Sequence, residues 1–382
     1  MTVKAYFNWT LALFVASFVV LPTSKMVNNF YYVFIAIPGL YFLLRNYQLL
    51  RPISFTESAF LALCLYITTY AFFVYPKVMV HTLYVLVFVY AVSRFVDASL
   101  FESKLFARLL FWGSLLYAAV CVFAFYIIGD ADFGSRLNPG LSRLYSPIQI
   151  SMLIACSLFV IGPHWLNCKN YLEGFTGVLL VIFAIALVFQ SRTGLVAVGL
   201  WIIFMLIHAL KGYGFRGGIT LAASLLLLVL VSIPVFELAG QTSQLIERAD
   251  AYRFSIWSGY LMAAHDCGLF LGCGFPEVVS PHLVLEPRGE GVYVSHNIVI
   301  NLLYHFGVVP VLLFAAIMLS SLYMAWRQGN WWGGYLFAGA VTLILDGNRI
   351  FNSPDIVWLA MWLPLALILA RSWLDRVKFE ES

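Results

Sequence analysis

Charge is scarce in this chain. Only 10% of its 382 residues are charged and 62% are hydrophobic, whereas a soluble domain carries roughly 25% charged residues. A soluble fold has no way to hide that much apolar surface, so the composition excludes one. Alternating polarity is also missing from the apolar runs, which excludes a membrane β-barrel. The backbone of a lipid-embedded chain must then satisfy itself within helices. No small-residue cleavage site follows the apolar run from Trp9 to Leu21, which therefore reads as a first membrane span. There is no C-x-x-C and no Cys/His metal spacing. Also missing are a G-K-[ST] phosphate loop, an internal repeat and any low-complexity segment.

What is present is a succession of apolar runs of ~17–25 residues. Twelve spans are expected, beginning near residues 7, 29, 56, 78, 105, 147, 171, 193, 218, 298, 331 and 354. An even number puts both termini on one side, and the positive-inside rule makes that side the cytoplasm. Thirteen of the 22 basic residues then fall on the inner side and nine on the outer. The expectation is an all-α integral membrane protein of about twelve transmembrane helices, forming one domain over 1–382. A single long outer loop, 238–297, lies between helices nine and ten.

Of the nine outer cations, seven are arginine: Arg136, Arg143, Arg192, Arg248, Arg253, Arg288 and Arg349. A guanidinium stays charged and pairs with phosphate through a planar fork. Arginines held against the topology bias point to an anionic ligand, although each one taken alone also reads as ordinary loop charge. Arg192 is the exception. It sits in Phe189-Gln190-Ser191-Arg192-Thr193-Gly194, between two apolar runs with almost no loop to occupy.

Within the long loop, Leu245 to Ala264 reads as an interfacial amphipathic helix, with Arg253 on its polar side and Trp257 as a membrane anchor. The glycine-punctuated stretch Cys267 to Pro276 reads as a turn that folds the loop back onto the membrane. Cys267 and Cys273 can pair if the loop lies outside the cytoplasm; otherwise they are two small loop residues. Ser295 is the expected N-cap of the next span, with His296 in its first turn. Asn297, Asn301 and His305 share one helix face that lines a cavity or bonds to neighbouring helices. His305 reads as a packing histidine, and His296 as a group able to titrate near neutrality. Asp130 and Asp132 form an Asp-x-Asp that reads as a solvated turn, so no metal and no cofactor are expected.

Four short motifs occur in order: Ser191-Arg192-Thr193-Gly194, Arg253-x-x-x-Trp257, Gly268-Leu269-Phe270-Leu271-Gly272-Cys273-Gly274 and Ser295-His296-Asn297. Together they resemble the O-antigen ligase and O-antigen polymerase superfamily of bacterial inner-membrane glycosyltransferases, over roughly residues 190 to 325. One departure is visible: Cys267-Gly268 stands where the family turn has a proline.

The resemblance implies a GT-C-like enzyme of the Gram-negative inner membrane with its active site in the periplasm. Its partners would be an undecaprenyl-diphosphate-linked glycan, a lipid A-core acceptor and membrane lipids, and no nucleic acid. Arg192 and Arg253 would stabilise the diphosphate leaving group, and His296 would act as base or orient the acceptor. Arg136, Arg143, Arg248, Arg288, Arg349 and Asn297 are further candidates for contact with the diphosphate or acceptor. A ligase is the leading expectation. A polymerase or protein O-oligosaccharyltransferase would use the same donor, and a transporter of lipid-linked sugars is the rival from another class.

Overall fold

The computed structural model describes every residue except 131, 133, 134, 138–140, 211–252, 276–282, 286–289, 292, 293 and 382, with the backbone alone at 284, 285, 290, 291 and 377–381. Arg248, Arg288 and the span expected near 218 lie outside the described residues, as does the first part of the expected interfacial helix.

Long apolar runs become helices as expected. They are α1 (Val3–Val20), α2 (Ser24–Arg45), α3 (Phe55–Val74), α4 (Pro76–Phe95), α5 (Lys104–Ile128), α6 (Pro147–Asn167), α7 (Tyr171–Val188) and α8 (Arg192–Leu210). Each start falls within a few residues of its expected position. Six of these helices begin on a hydroxyl cap, from Thr2, Thr23, Ser54, Ser103, Ser146 and Ser191. Such a cap satisfies an amide that would otherwise be left unpaired near lipid. Further on come α9 (Arg253–Cys267), α10 (Ile298–Phe306), α11 (Val308–Gln328), α12 (Trp332–Asp346) and α13 (Leu363–Glu381). A π turn, Trp358–Trp362, leads into α13. A two-stranded antiparallel ribbon pairs Val284–Leu285 with Glu290–Gly291.

Among the described residues nine helices are long and apolar enough to cross a membrane. The chain is therefore a multi-pass membrane protein, but the span expected from 298 is not continuous. The helix that begins there is nine residues long, and the membrane-length helix starts only at Val308. Gly307 breaks the two apart with φ of 80°. A Cβ at that position would lie 2.0 Å from the Phe270 carbonyl oxygen. The turn after α9 occupies that space, and the Val308 amide donates to the Leu269 carbonyl across it. The chain cannot run straight through without expelling the turn.

The interior is aromatic. Phe14, Tyr31, Phe88 and Trp358 pack edge to face or tilted around one centre, joining α1, α2, α4 and the turn before α13. At one end of the bundle Glu57 and Arg94 form a fully buried ion pair, with both carboxylate oxygens bonded to the guanidinium. The Asp97 amide donates to Asn8 there, and Arg371 pairs with Glu102. The start of α1 and the end of α13 thus lie at the same end. The opposite end carries the α3–α4, α5–α6, α7–α8 and α12–α13 connections, and the segment between α9 and α11.

Candidate functional site

Arg253 and Trp257 are four residues apart, so α9 presents them on one face. Trp257 reaches the turn before α10, and Arg253 reaches the end of α12. The Trp257 indole N–H donates to the Ser295 carbonyl over 3.1 Å. The indole therefore braces that turn from within the fold. Further along, Tyr260 packs edge to face on Tyr304 of α10 at 5.0 Å. A disulfide between Cys267 and Cys273 closes the end of α9, with the two Cα atoms 5.1 Å apart. The Cys273 amide then bonds the Tyr304 carbonyl, pinning the turn to the end of α10.

The N-cap of α10 is Asn297, not Ser295. The Asn297 side-chain oxygen accepts from the amides of Val299 and Ile300 at 2.9 and 3.0 Å. Ser295 is wholly buried, and its hydroxyl donates to the Asn297 carbonyl. His296 consequently precedes the helix instead of lying in its first turn. It adopts φ of 51°, a left-handed conformation unusual for a residue with a side chain. Bonds to Trp257 and within the Asn297 cap hold the residues on either side of it. Backbone strain held in this way is typical of functional positions.

The imidazole meets Asp346, the last residue of α12. His296 Nδ1 lies 2.9 Å from one carboxylate oxygen. The other oxygen takes no hydrogen bond from a described residue and faces the Arg253 guanidinium at 3.4 Å. The Asp346 side chain is only 6% exposed, while the His296 ring is 44% exposed. A nearly buried carboxylate at the negative end of a helix is costly without cationic partners. Here it has one cation, Arg253, and one hydrogen-bond donor, His296, drawn from separate elements. A carboxylate only accepts, so Nδ1 carries the proton and Nε2 is left as an acceptor. That is the tautomer a general base requires.

The other expected residues occupy different places. Arg192 opens α8 after a turn in which Gln190 has φ of 49°. The Ser191 hydroxyl accepts from the Gly194 amide and caps the helix. Gly194 is required by closeness: a Cβ there would come within 2.8 Å of both Ser151 and Ile185. Arg136 reaches the same turn, donating to the Phe189 carbonyl, and lines an open hollow of about 390 Å³ with Tyr145 and Ser146. Arg143 donates to the Pro354 carbonyl at 2.7 Å and is largely buried. Beside it, burial pushes the Asp355 carboxyl up from 3.8 to about 6, against the opposing charge of Arg143. Arg349 lies 5.6 Å from the centre of the Phe275 ring. Asn301 donates to Asn348, and His305 bonds the Gly274 carbonyl while stacking on Phe275 at 4.4 Å. The polar stripe of α10 thus bonds to neighbouring segments.

Of the expected site residues, the structure joins Arg253 and His296 on one carboxylate. Asp346 was not among the expected residues. Its signal was present: Leu345-Asp346-Gly347-Asn348-Arg349 puts a carboxylate at the exit of an apolar run. The reason to look there is a membrane-edge acid with no basic residue one helical turn before it.

No family model matches the chain. Among curated proteins it is similar to the O-antigen ligase of Pseudomonas aeruginosa, with 24% identity over 90% of this chain and 84% of that protein. That likeness runs through both halves of the molecule, beyond the 190–325 region in which the motifs occur. The short motifs and the full-length similarity agree, and they bear out the resemblance to the O-antigen ligase superfamily.

Proposed function

We propose that this protein is an O-antigen ligase. It would transfer a glycan from undecaprenyl diphosphate to a sugar hydroxyl of lipid A-core on the periplasmic face of the inner membrane, without a metal. The observation that carries this reading is the meeting of His296 and Arg253 on Asp346. The Cys267–Cys273 disulfide supports a periplasmic site, because such bonds persist in oxidising compartments. Similarity to a named ligase favours this acceptor over a second glycan or a protein.

In this reaction the acceptor oxygen bonds to the anomeric carbon as the bond from that carbon to the diphosphate oxygen breaks. His296 Nε2 takes the hydroxyl proton, and Asp346 stabilises the resulting imidazolium. Negative charge grows on the leaving diphosphate, where preorganised cations count most. Arg253 supplies one, since the Asp346 contact leaves further N–H donors on its fork. Arg192 is the second candidate, held at the start of α8 by the Ser191 cap and the Gly194 contact. Arg136 shares that turn and is positioned to assist. Arg143 is committed to the Pro354 carbonyl, and the Asn297 oxygen to its cap, so we assign both to shaping the site.

The test is incubation of the purified full-length protein with lipid-linked donor and lipid A-core. The expected outcome is an acceptor whose mass rises by that of the glycan, with loss of product in the His296→Ala protein. Wild-type turnover by a correctly inserted His296→Ala protein would refute the base. Relocation of donor lipid without a new glycosidic bond would refute the transfer itself.

A further inference from the structure

A second group of cations lies at the same end of the bundle and takes no part in the transfer described above. Tyr75, just before α4, stacks on Phe275 at 4.7 Å. Phe275 in turn has the Arg349 guanidinium 5.6 Å from its ring centre. The first turn of α4 therefore approaches the loop that follows α12. Lys77 and His81, four residues apart in that part of α4, share a helix face. Both Lys77 and Arg349 lie within electrostatic reach of the His81 ring.

Among the described residues, no carboxylate pairs with Arg349, Lys77 or His81. Arg349 is part-buried and makes no hydrogen bond to a described residue. Its partner there is an aromatic ring, which leaves the N–H donors of the fork unspent. Tyr75 provides no side-chain cap for α4, so the positive end of the helix adds to the field. Like charges brought together without a counter-ion repel, and an anion between them removes that cost. A fork, an ammonium and an imidazole converging from two segments are suited to phosphate oxygens.

We propose that Arg349, Lys77 and His81 form a second phosphate site, which holds a phosphate group of a membrane-anchored lipid while the glycan is transferred elsewhere. This goes beyond the transfer reaction, because the phosphate concerned is neither released nor bonded to the migrating sugar. It has two possible bearers: a phosphorylated glycolipid that enters as acceptor, or an anionic phospholipid of the surrounding bilayer.

The experiment is a lipid titration of the purified full-length protein, read by native mass spectrometry. The probes are bis-phosphorylated lipid A, its dephosphorylated form and phosphatidylglycerol. The K77Q/R349Q double variant is expected to lose about ten-fold or more in affinity for a phosphorylated probe, from two charge-assisted contacts. Dephosphorylated lipid A should bind both proteins alike. A loss confined to lipid A assigns the site to a phosphorylated glycolipid; a loss confined to phosphatidylglycerol assigns it to a bilayer lipid. A K77R/R349K variant, which keeps the charges, should retain the affinity. Unchanged affinity for both phosphorylated probes in K77Q/R349Q would overturn the site. So would an equal loss in K77R/R349K. The readout is binding, so failure of the transfer reaction would not be mistaken for failure of this site.

Discussion

Asp346→Asn is the substitution that most directly tests the arrangement at the site. It preserves shape and leaves an oxygen that can accept from His296 Nδ1, but removes the negative charge. In wild type the nitrogen-to-oxygen distance is 2.9 Å. With an effective dielectric of about 20, a charged imidazole at that distance is attracted by roughly 6 kcal/mol. Because the His296 ring is 44% exposed, water screens roughly half of this. About 3 kcal/mol remains for stabilising the imidazolium that forms as the acceptor hydroxyl gives up its proton. The expected cost is therefore roughly two orders of magnitude in kcat, within the usual range for a general base. Arg253 keeps its place on α9, so the KM for lipid-linked donor should move far less than kcat. The assay is steady-state glycan transfer in proteoliposomes across a range of pH, with insertion checked by thermal unfolding. A variant within about three-fold of wild-type kcat, with an unchanged pH profile, would refute a role for Asp346 in supporting His296.

Three other outcomes are expected. In Gly194→Ala the new methyl meets Ser151 and Ile185 at 2.8 Å, which should cost about 1–3 kcal/mol, read as a lowered Tm with a larger fall in transfer because Arg192 moves with its helix. Replacing Cys267 and Cys273 by serine opens a loop with a sequence separation of six, a loss of about 2 kcal/mol. Reductant should lower the Tm of wild type toward that of the double variant and leave the variant itself unchanged. The third concerns Asp355, whose carboxyl lies at about 6 in the fold instead of 3.8. Because the folded state holds this proton more tightly, the stability it contributes is complete below about pH 4 and lost as pH rises to about 6. Asp355→Asn keeps the cap on Val357 and should be more heat-stable than wild type at pH 7.5, by on the order of 2–3 kcal/mol. The gap should close toward pH 4; a variant less stable at pH 7.5 would count against the buried-charge account.

Much of the site was legible because its parts are marked locally. Arg253 and Trp257 stand out by helical spacing, Gly194 by its place in a tight hairpin, and His296 by position at the edge of an apolar run. The use made of those parts was less visible. Trp257 reads as an interfacial anchor, and its bond to the Ser295 carbonyl becomes visible only in the fold. Ser295 and Asn297 are both good caps, and the choice between them depends on where His296 must point. Asp346 was missed because a single acid at a span exit has many possible reasons to be there. Only its two partners, 50 and 93 positions away along the chain, give it one.

The sequence by itself determined that this is a helical membrane protein. Solvent decides that question, and residues so poor in charge cannot be exposed to water. It also determined where most helices begin, because apolar runs and hydroxyl caps are local properties. Only the tertiary structure decided that the segment after His296 is a short helix interrupted at Gly307. The apolar pattern continues through that position, and the break is imposed by a turn that arrives from another part of the chain. Tertiary structure likewise brought His296 and Arg253 to opposite oxygens of Asp346. The buried carboxylate draws a guanidinium from α9 and an imidazole from the turn before α10, and no spacing along the sequence encodes that meeting.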